Sequence, residues 1–208
     1  MFDPVISVII PVRPDEAALP ALLSQLEGHR AICDIHVMSE GSRAKSLNAG
    51  AKKARGTLLW FLHADSVLTD DSIDHLLAGF AKSPKSLLYF DLAFARDAVG
   101  LVKLNQWGAN LRSRLLGVPF GDQGLACHRD IFKAVGPYDE HCAYGEDHLF
   151  VWQARQGGVK LFPIGAPLLT SARTYRQTGW LKLTILYQYR WIRQALPEAW
   201  KLMRRRGL

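Results

Sequence analysis

Apolar runs alternate along the chain with amphipathic stretches, in the order expected of strands and helices. Residues 5–12 (VISVIIPV) form a β-branched apolar run that ends in proline and valine, which predicts a strand buried on both faces. Residues 15–28 place leucines at helical spacing, with Pro20 in the first turns of the predicted helix. Residues 32–38 then predict a second short strand. The chain therefore begins with a β-α-β pattern.

The pattern repeats over the next residues. Residues 39–42 (SEGS) predict a turn and an N-cap for a helix that runs through Ala54 and stops at Gly56. Residues 57–62 predict a third buried strand, and residues 63–66 (HADS) lie just past its carboxyl end. Successive β-α units favour a doubly wound parallel sheet with right-handed crossovers. Ligands of such sheets bind at the carboxyl ends of the strands.

The later part of the chain continues with both kinds of element. The helix predicted between residues 100 and 117 carries large apolar residues on one face, namely Leu104, Trp107, Leu111 and Leu115. The other predicted elements are a helix capped by Asp70 or Asp71, strands over 87–95 and 124–128, a helix over 146–156, and a helical region over 179–206 broken at Pro197. We expect an α/β domain over residues 1–178 and a helical C-terminal arm over residues 179–208.

Composition supports one compact domain. The chain has 208 residues, of which 49% are hydrophobic and 22% charged, so it is long and apolar enough to bury a core. The cysteines have no metal-binding spacing and are interpreted as reduced thiols. The start has no signal-peptide pattern, and no apolar stretch approaches the roughly 20 residues of a membrane span. The sequence therefore predicts a cytoplasmic protein.

The net charge of +7 suits nucleic acid, anionic lipid or a phosphorylated ligand. Much of the excess lies after residue 172, where Glu198 is opposed by Arg173, Arg176, Lys182, Arg190, Arg193, Lys201, Arg204, Arg205 and Arg206. Aromatic and apolar residues interleave with these charges, which is typical of helices that lie on a membrane surface. This predicts peripheral contact with the inner face of the cell membrane and a lipid-linked acceptor. The alternative is packing on the domain or on a second subunit in a homodimer, and no nucleic-acid module is recognisable.

Asp65 is the first residue with candidate chemistry. A carboxylate at a strand end, preceded by the small Ala64, can approach a diphosphate closely, and Mg²⁺ or Mn²⁺ prefers such oxygen ligands. Taken alone, Asp65 fits a helix cap or turn better than a ligand, and His63 fits a hydrogen-bonded structural histidine better.

Two further polar segments are candidates. Residues 121–124 (GDQG) suit recognition of sugar hydroxyls but also fit a turn, and Glu146 with Asp147 fits an ordinary helix N-terminus. Transfer of a sugar from a diphosphate needs a cation or its equivalent at the leaving group and one carboxylate as base. Asp65 as a ligand of the cation and Asp147 as the base would divide these tasks. Walker, GxGxxG, GxSxG and HExxH motifs are absent from the sequence.

In their order and spacing, these segments resemble family 2 glycosyltransferases. The residues that carry the resemblance are 7–12 (SVIIPV) with Glu16, 43–51 (RAKSLNAGA), 54–56 (ARG), 61–65 (FLHAD), 121–123 (GDQ), Glu146 with Asp147, and 170–173 (TSAR). The His-Ala-Asp form looks like a small, stand-alone bacterial subgroup. The resemblance implies a GT-A fold, a Rossmann-like and mostly parallel sheet, and an inverting transferase that uses a nucleotide-sugar donor.

The resemblance also implies roles for individual residues. Donor binding falls to Pro11, Val12, Glu16, Arg43, Asn48, His63, Ala64, Asp65 and Arg173. Asp65 would bind the divalent metal, and Arg173 would neutralise the leaving diphosphate. Asp147 would be the catalytic base, with Glu146 as the second candidate. Gly121, Asp122 and Gln123 would face the sugar or the acceptor.

Two departures from the family pattern keep an alternative open. Residues 39–42 (SEGS) replace an Asp-Gly-Gly-Ser-like turn and a longer connection, so part of the nucleoside pocket is missing or rebuilt. His63 replaces the first aspartate of the usual Asp-x-Asp. The alternative is a non-catalytic nucleotide-sugar-binding homologue or a scaffold protein.

Overall fold

A single mostly parallel sheet organises the protein. The computed structural model describes residues 5–95 and 101–205, apart from the side chain of Arg176. The strands are β1 (Ile6–Pro11), β2 (Ile32–Met38), β3 (Leu58–Phe61), β4 (Ser86–Phe94), β5 (Ala126–His128) and β6 (Lys160–Thr170). Their order in the sheet is β2-β1-β3-β5-β4-β6, and β5 alone runs antiparallel to its neighbours among these strands. The predicted α/β class is confirmed.

Helices cover both faces of this sheet. They are α1 (Leu19–Leu26), α2 (Arg43–Lys53), α3 (Ser72–Lys82), α4 (Val102–Leu116), α5 (Arg129–Val135), α6 (Glu146–Gln156), α7 (Arg173–Thr178) and α8 (Trp180–Arg205). Alternate residues of β1 point to opposite faces: Ile6, Val8 and Ile10 join α1 and α3, whereas Ile9 joins α2 and α6. Both faces of β1 are buried, as its uninterrupted apolar run predicts.

Two predicted helix boundaries differ from the structure. Helix α1 begins at Leu19 rather than Asp15, because Asp15 has a φ of 60° that a right-handed helix excludes. The predicted break at Pro197 is wrong, since α8 continues through it. A proline removes one backbone hydrogen bond, and side chains on both sides of it hold the helix in place, with Gln194 bonded to Tyr144 and Glu198 bonded to Gln156.

Strand β6 has no counterpart in the predictions. Its 11 residues include Pro163, Gly165 and Pro167, which argue against the interior of a sheet. The strand lies at the sheet edge, where only one side needs backbone partners, and its register against β4 shifts between Tyr89 and Asp91. Prolines are therefore tolerated there.

The C-terminal helix packs on the domain through one side. Leu202 of α8 joins Trp152 of α6 and Val118 in a separate buried cluster. Arg205 Nη1 donates a hydrogen bond of 3.1 Å to the carbonyl of Gln156. Within residues 5–95 and 101–205, none of the helices combines the length and hydrophobicity that crossing a bilayer requires.

Candidate active site

Three residues predicted to bind a donor meet at the carboxyl edge of the sheet. Glu16 follows β1, Asp65 follows β3, and Arg173 follows β6. The segment after β3 reaches β6 because Val67 and Leu169 exchange backbone hydrogen bonds of 2.8 and 3.1 Å. Arg173 Nη2 then lies 3.2 Å from Glu16 Oε1. The structure thus brings together residues that are far apart in sequence.

The charge of Asp65 is only partly compensated. Burial raises its pKa above the ordinary value, and the negative charge of Glu16 adds to that effect. Three groups act in the opposite direction: the backbone amide of Asp65 itself, the hydroxyl of Thr170, which donates a hydrogen bond of 3.4 Å to Asp65 Oδ2, and Arg173. The net effect is a carboxylate that would gain from a nearby cation.

Asp147 lies in a second cluster, in the first turn of α6. Its Oδ2 accepts a hydrogen bond of 2.5 Å from the backbone amide of Gly121, and its Oδ1 accepts one of 2.8 Å from the amide of His148. The N-cap of α6 is Gly145, which has a left-handed φ of 69°. A helix N-terminus favours a carboxylate in this position.

Arg43 connects the residues of this second cluster. Its Nε lies 3.0 Å from Glu146 Oε1, and its Nη2 donates a hydrogen bond to His63 Nε2. Ser42 fixes this arginine at the start of α2, because its hydroxyl caps the helix by accepting from the amide of Lys45. Glu146 therefore orients Arg43.

Electrostatics set the protonation of this cluster. Burial and the charge of Arg43 together lower the pKa of His63 to about 3, although Asp147 acts in the opposite direction, so the imidazole is neutral at neutral pH. Burial alone would raise the pKa of Asp147, but Arg43, His63 and the two backbone amides hold it below its ordinary value. Burial raises the pKa of Glu146 despite Arg43. Asp147 is consequently an ionised carboxylate with a neutral histidine beside it.

Asp122 lies between the two clusters. Burial raises its pKa to about 6; the charges of Asp147 and Asp65 contribute to the rise, and Arg112 opposes it. One carboxylate oxygen, Oδ1, is buried without a hydrogen-bond partner among the described residues. Arg112 belongs to this site but was not predicted, because a basic residue in an amphipathic helix gives no sequence signal of its own.

Gly121 is required by the close approach of these side chains. A β-carbon at this position would lie 2.5 Å from Asp147 Oδ2, 2.8 Å from Arg43 Nη2 and 2.9 Å from His63 Nε2. Any side chain would therefore displace at least one of the three. Glycine is needed at this position because it has no side chain to occupy the space between these three groups.

Replacing Gly121 with alanine is expected to lower catalytic turnover about 100-fold, since a displacement of roughly 1 Å can have that effect. The cost in unfolding free energy should be about 1–3 kcal/mol. Gly108→Ala is the control, because no heavy atom lies within 4 Å of its added β-carbon. Equal turnover of both variants in a transfer assay, with both folded by circular dichroism, would contradict the proposed role of Gly121.

Two predicted ligand contacts instead make hydrogen bonds within the protein. Asn48 Nδ2 donates to the carbonyl of Tyr138 at 2.9 Å and to Glu140 Oε1 at 2.8 Å, while its Oδ1 accepts from the amide of Tyr138 at 2.9 Å. Gln123 is fully buried, and its side chain bonds Ser113, Phe120 and Phe90. Both residues fix the segments that carry the site.

The remaining predicted residues line the edge of the sheet. Pro11 and Val12 are partly exposed at the end of β1, and the amide of Val12 donates to the carbonyl of Met38 at 2.8 Å. Ala64 is buried beside Asp65.

Comparisons with known proteins support a family assignment. A family model described as glycosyl transferase family 2 matches residues 15–133. No curated protein matches the sequence.

Solved structures show the same fold. TarS from S. aureus superposes with a TM-score of 0.62 at 14% identity, covering 81% of this chain and 37% of TarS. TarS residues 1–349 in complex with UDP-GlcNAc give a TM-score of 0.61 at 15% identity, over 80% of this chain and 58% of that one. The complex with UDP gives 0.61 at 15% identity, over 81% and 60%. This chain therefore spans less than two thirds of each of these TarS chains.

Proposed function

Because this chain belongs to glycosyl transferase family 2, we propose that it transfers a sugar from a nucleoside-diphosphate donor to an acceptor hydroxyl, with inversion at the anomeric carbon. The observation that carries the proposal is the pair of carboxylates on either side of Asp122. Asp65 has an undercompensated negative charge, whereas Asp147 is held ionised by Arg43 and backbone amides. The two therefore suit different roles.

Donor binding falls to the Asp65 cluster. The TarS structures hold UDP-GlcNAc or UDP, and a fold shared with them supports a nucleotide-sugar donor here. Pro11 and Val12 would lie against the nucleoside. Arg173 would turn from Glu16 toward the diphosphate, because both are anions within reach of one guanidinium.

The residues around Asp65 fit a divalent cation that is shared with the donor. Within the part of the chain that the structure describes, no group of three or more histidine, cysteine, aspartate or glutamate side chains could hold a metal alone. Mg²⁺ and Mn²⁺ often bind through one or two carboxylates and substrate phosphates. Asp65 would hold such an ion, which would supply positive charge at the leaving diphosphate.

Asp147 would accept the proton of the acceptor hydroxyl. As that proton moves to the carboxylate, the acceptor oxygen forms a bond to the anomeric carbon. The bond from that carbon to the diphosphate oxygen breaks, and the diphosphate leaves with the electron pair. Attack opposite to the leaving group inverts the anomeric centre. Protonated Asp147 then returns its proton to solvent.

Calorimetry with UDP and a panel of nucleotide sugars, with and without Mn²⁺, tests the proposal on the intact chain. We expect binding of at least one donor that strengthens with Mn²⁺, followed by slow release of free sugar to water when no acceptor is present. Binding without any turnover, even with acceptors, would favour the non-catalytic homologue. If neither diphosphate nor donor binds, the proposal is wrong.

A further inference from the structure

An apolar face of α4 lies open to solvent. Leu104, Trp107, Leu111 and Leu115 recur at intervals of three and four residues, and Trp107 and Leu115 are 67% and 72% exposed. The buried residues of this helix are the smaller Val102, Ala109 and Ser113. The larger apolar side chains of α4 therefore point away from the core, which is the reverse of a helix that serves only to cover a sheet.

Helix α8 shows the same arrangement along its 26 residues. Its inner side buries Leu183 and Leu202, whereas Leu196 and Trp200 are 65% and 60% exposed. The exposed apolar positions recur every three or four residues, at Leu181, Ile185, Tyr189, Ile192, Leu196 and Trp200. These exposed side chains are not covered by the domain.

Side chains of the two helices meet at two points. Asn105 Nδ2 donates a hydrogen bond of 2.9 Å to Thr184 Oγ1, and the guanidinium of Arg112 lies 5.8 Å from the ring of Trp191. The second contact is seven residues beyond the first in both helices, so they run in the same direction for about 10 Å. In each helix the contact positions lie between the buried and the exposed positions, and the exposed stripes face the same side. We call this surface the outer face.

Basic residues flank the outer face. Helix α4 contains Lys103, Arg112 and Arg114 and no acidic residue, and α8 contains Lys182, Arg190, Arg193, Lys201, Arg204 and Arg205. The one acidic residue of α8, Glu198, accepts from Lys201 at 2.6 Å and from Gln156 at 2.8 Å. Arg112 is partly buried toward Asp122, and Arg114 pairs with Asp91 at 2.6 Å. Exposed basic side chains beside the apolar stripes are those of Lys103, Lys182, Arg193 and Arg204, and they carry the positive charge of this surface.

We propose that the outer face binds the surface of a membrane that contains anionic lipid. Anionic headgroups complement the basic residues while the acyl boundary takes up the apolar side chains. The rings of Trp107, Tyr189 and Trp200 suit the interfacial region. A second copy of the chain fits less well, because a two-fold contact would set the same basic helices against each other.

Helix α8 connects the outer face with the candidate active site. One side of α8 contributes to the outer face, and the opposite, inner side contacts residues next to Asp147. Gln194 Nε2 donates to the carbonyl of Tyr144 at 2.9 Å, and Gln194 Oε1 lies 2.8 Å from His148 Nδ1. Asp147 lies between these two partners in sequence. If the proposed function holds, an acceptor carried by a lipid would reach the site from the membrane to which the outer face binds.

Cosedimentation of the full chain with lipid vesicles tests the membrane proposal without reference to catalysis. We expect binding to phosphatidylcholine vesicles that contain phosphatidylglycerol, weaker binding at high salt, and little binding to phosphatidylcholine alone. Trp107→Ala with Trp200→Ala should lower the partition coefficient by more than about tenfold. Arg193→Gln with Arg204→Gln should lower it in anionic vesicles only. Val37→Ser, at an exposed apolar position on the edge strand β2, should leave it unchanged.

Three results would overturn the proposal. The first is absence of binding to anionic vesicles by the folded wild-type chain. The second is a stable dimer in light scattering that dissociates in the double tryptophan variant, which would assign the outer face to a second copy. Unchanged lipid binding in both double variants would likewise place the lipid contact elsewhere.

Discussion

Replacing Asp147 with asparagine is expected to reduce glycosyl transfer by about 10²–10⁴-fold, the usual range for loss of a general base. The amide keeps the size of the side chain and one acceptor oxygen, so the contact with the amide of Gly121 can persist. What it cannot do is take up the proton of the acceptor. The measurement is the initial rate at saturating donor, with product separated by chromatography.

Donor affinity should change little in this variant, because Asp65 and Arg173 lie in the other cluster. Asp74→Asn is the control, since this residue is exposed on α3. Melting temperature and calorimetric donor binding establish that the site is intact. The loss of a general base should lower the rate far more than about threefold. A rate for Asp147→Asn within about threefold of wild type would therefore assign the role of base to another residue, and Glu146→Gln would be the next variant.

Replacing Asp65 with asparagine is expected to abolish the effect of Mn²⁺ on donor binding. With the ion present, the affinity for UDP should fall about 100-fold. Removal of a residue that only supports a metal ligand already lowers metal affinity or activity by up to about 100-fold. Without metal, the variant should bind UDP no more weakly than wild type, because the substitution removes a negative charge that faces the diphosphate. The measurement is calorimetric titration in both conditions.

This contrast separates a metal-binding role from a structural one. A structural aspartate would lower the affinity equally with and without Mn²⁺, and would lower the melting temperature of the unliganded chain. Asp70→Asn, at an exposed position of the same loop region, controls for the loss of a surface charge. Full retention of the Mn²⁺ effect in Asp65→Asn would remove Asp65 from the metal site.

Local patterns predicted much of the fold. The bounds of β2 and α6 agree with the prediction residue for residue, because each is delimited by strong signals, such as Gly157 with Gly158 after α6. Strand β6 was missed because its prolines oppose a strand in any local window, and only its edge position makes them harmless. Whether a strand lies at the edge or in the centre is a property of the whole sheet.

The site divides in a similar way. The order and spacing of their segments predict site roles for Asp65 and Asp147, and these roles stay predictions. The partners of Asn48 could not, since Tyr138 lies 90 residues away in the chain. The residue type of Asn48 and its neighbours in the sequence indicate that it belongs to a site. Its contacts in the folded chain decide whether its side chain binds a ligand or the protein backbone. Arg112 was missed for the same reason.

The reversed direction of β5 determines which part of the chain can reach the reaction centre. A parallel strand delivers the residues that follow it to the carboxyl edge, but an antiparallel strand delivers those that precede it. Gly121 and Asp122 come just before β5, and so arrive at the edge where β3 and β4 end. Had β5 been parallel, this turn would lie at the far side of the sheet. Because β5 is antiparallel, the residues that precede it and the residues that follow β3 and β4 lie at the same edge of the sheet.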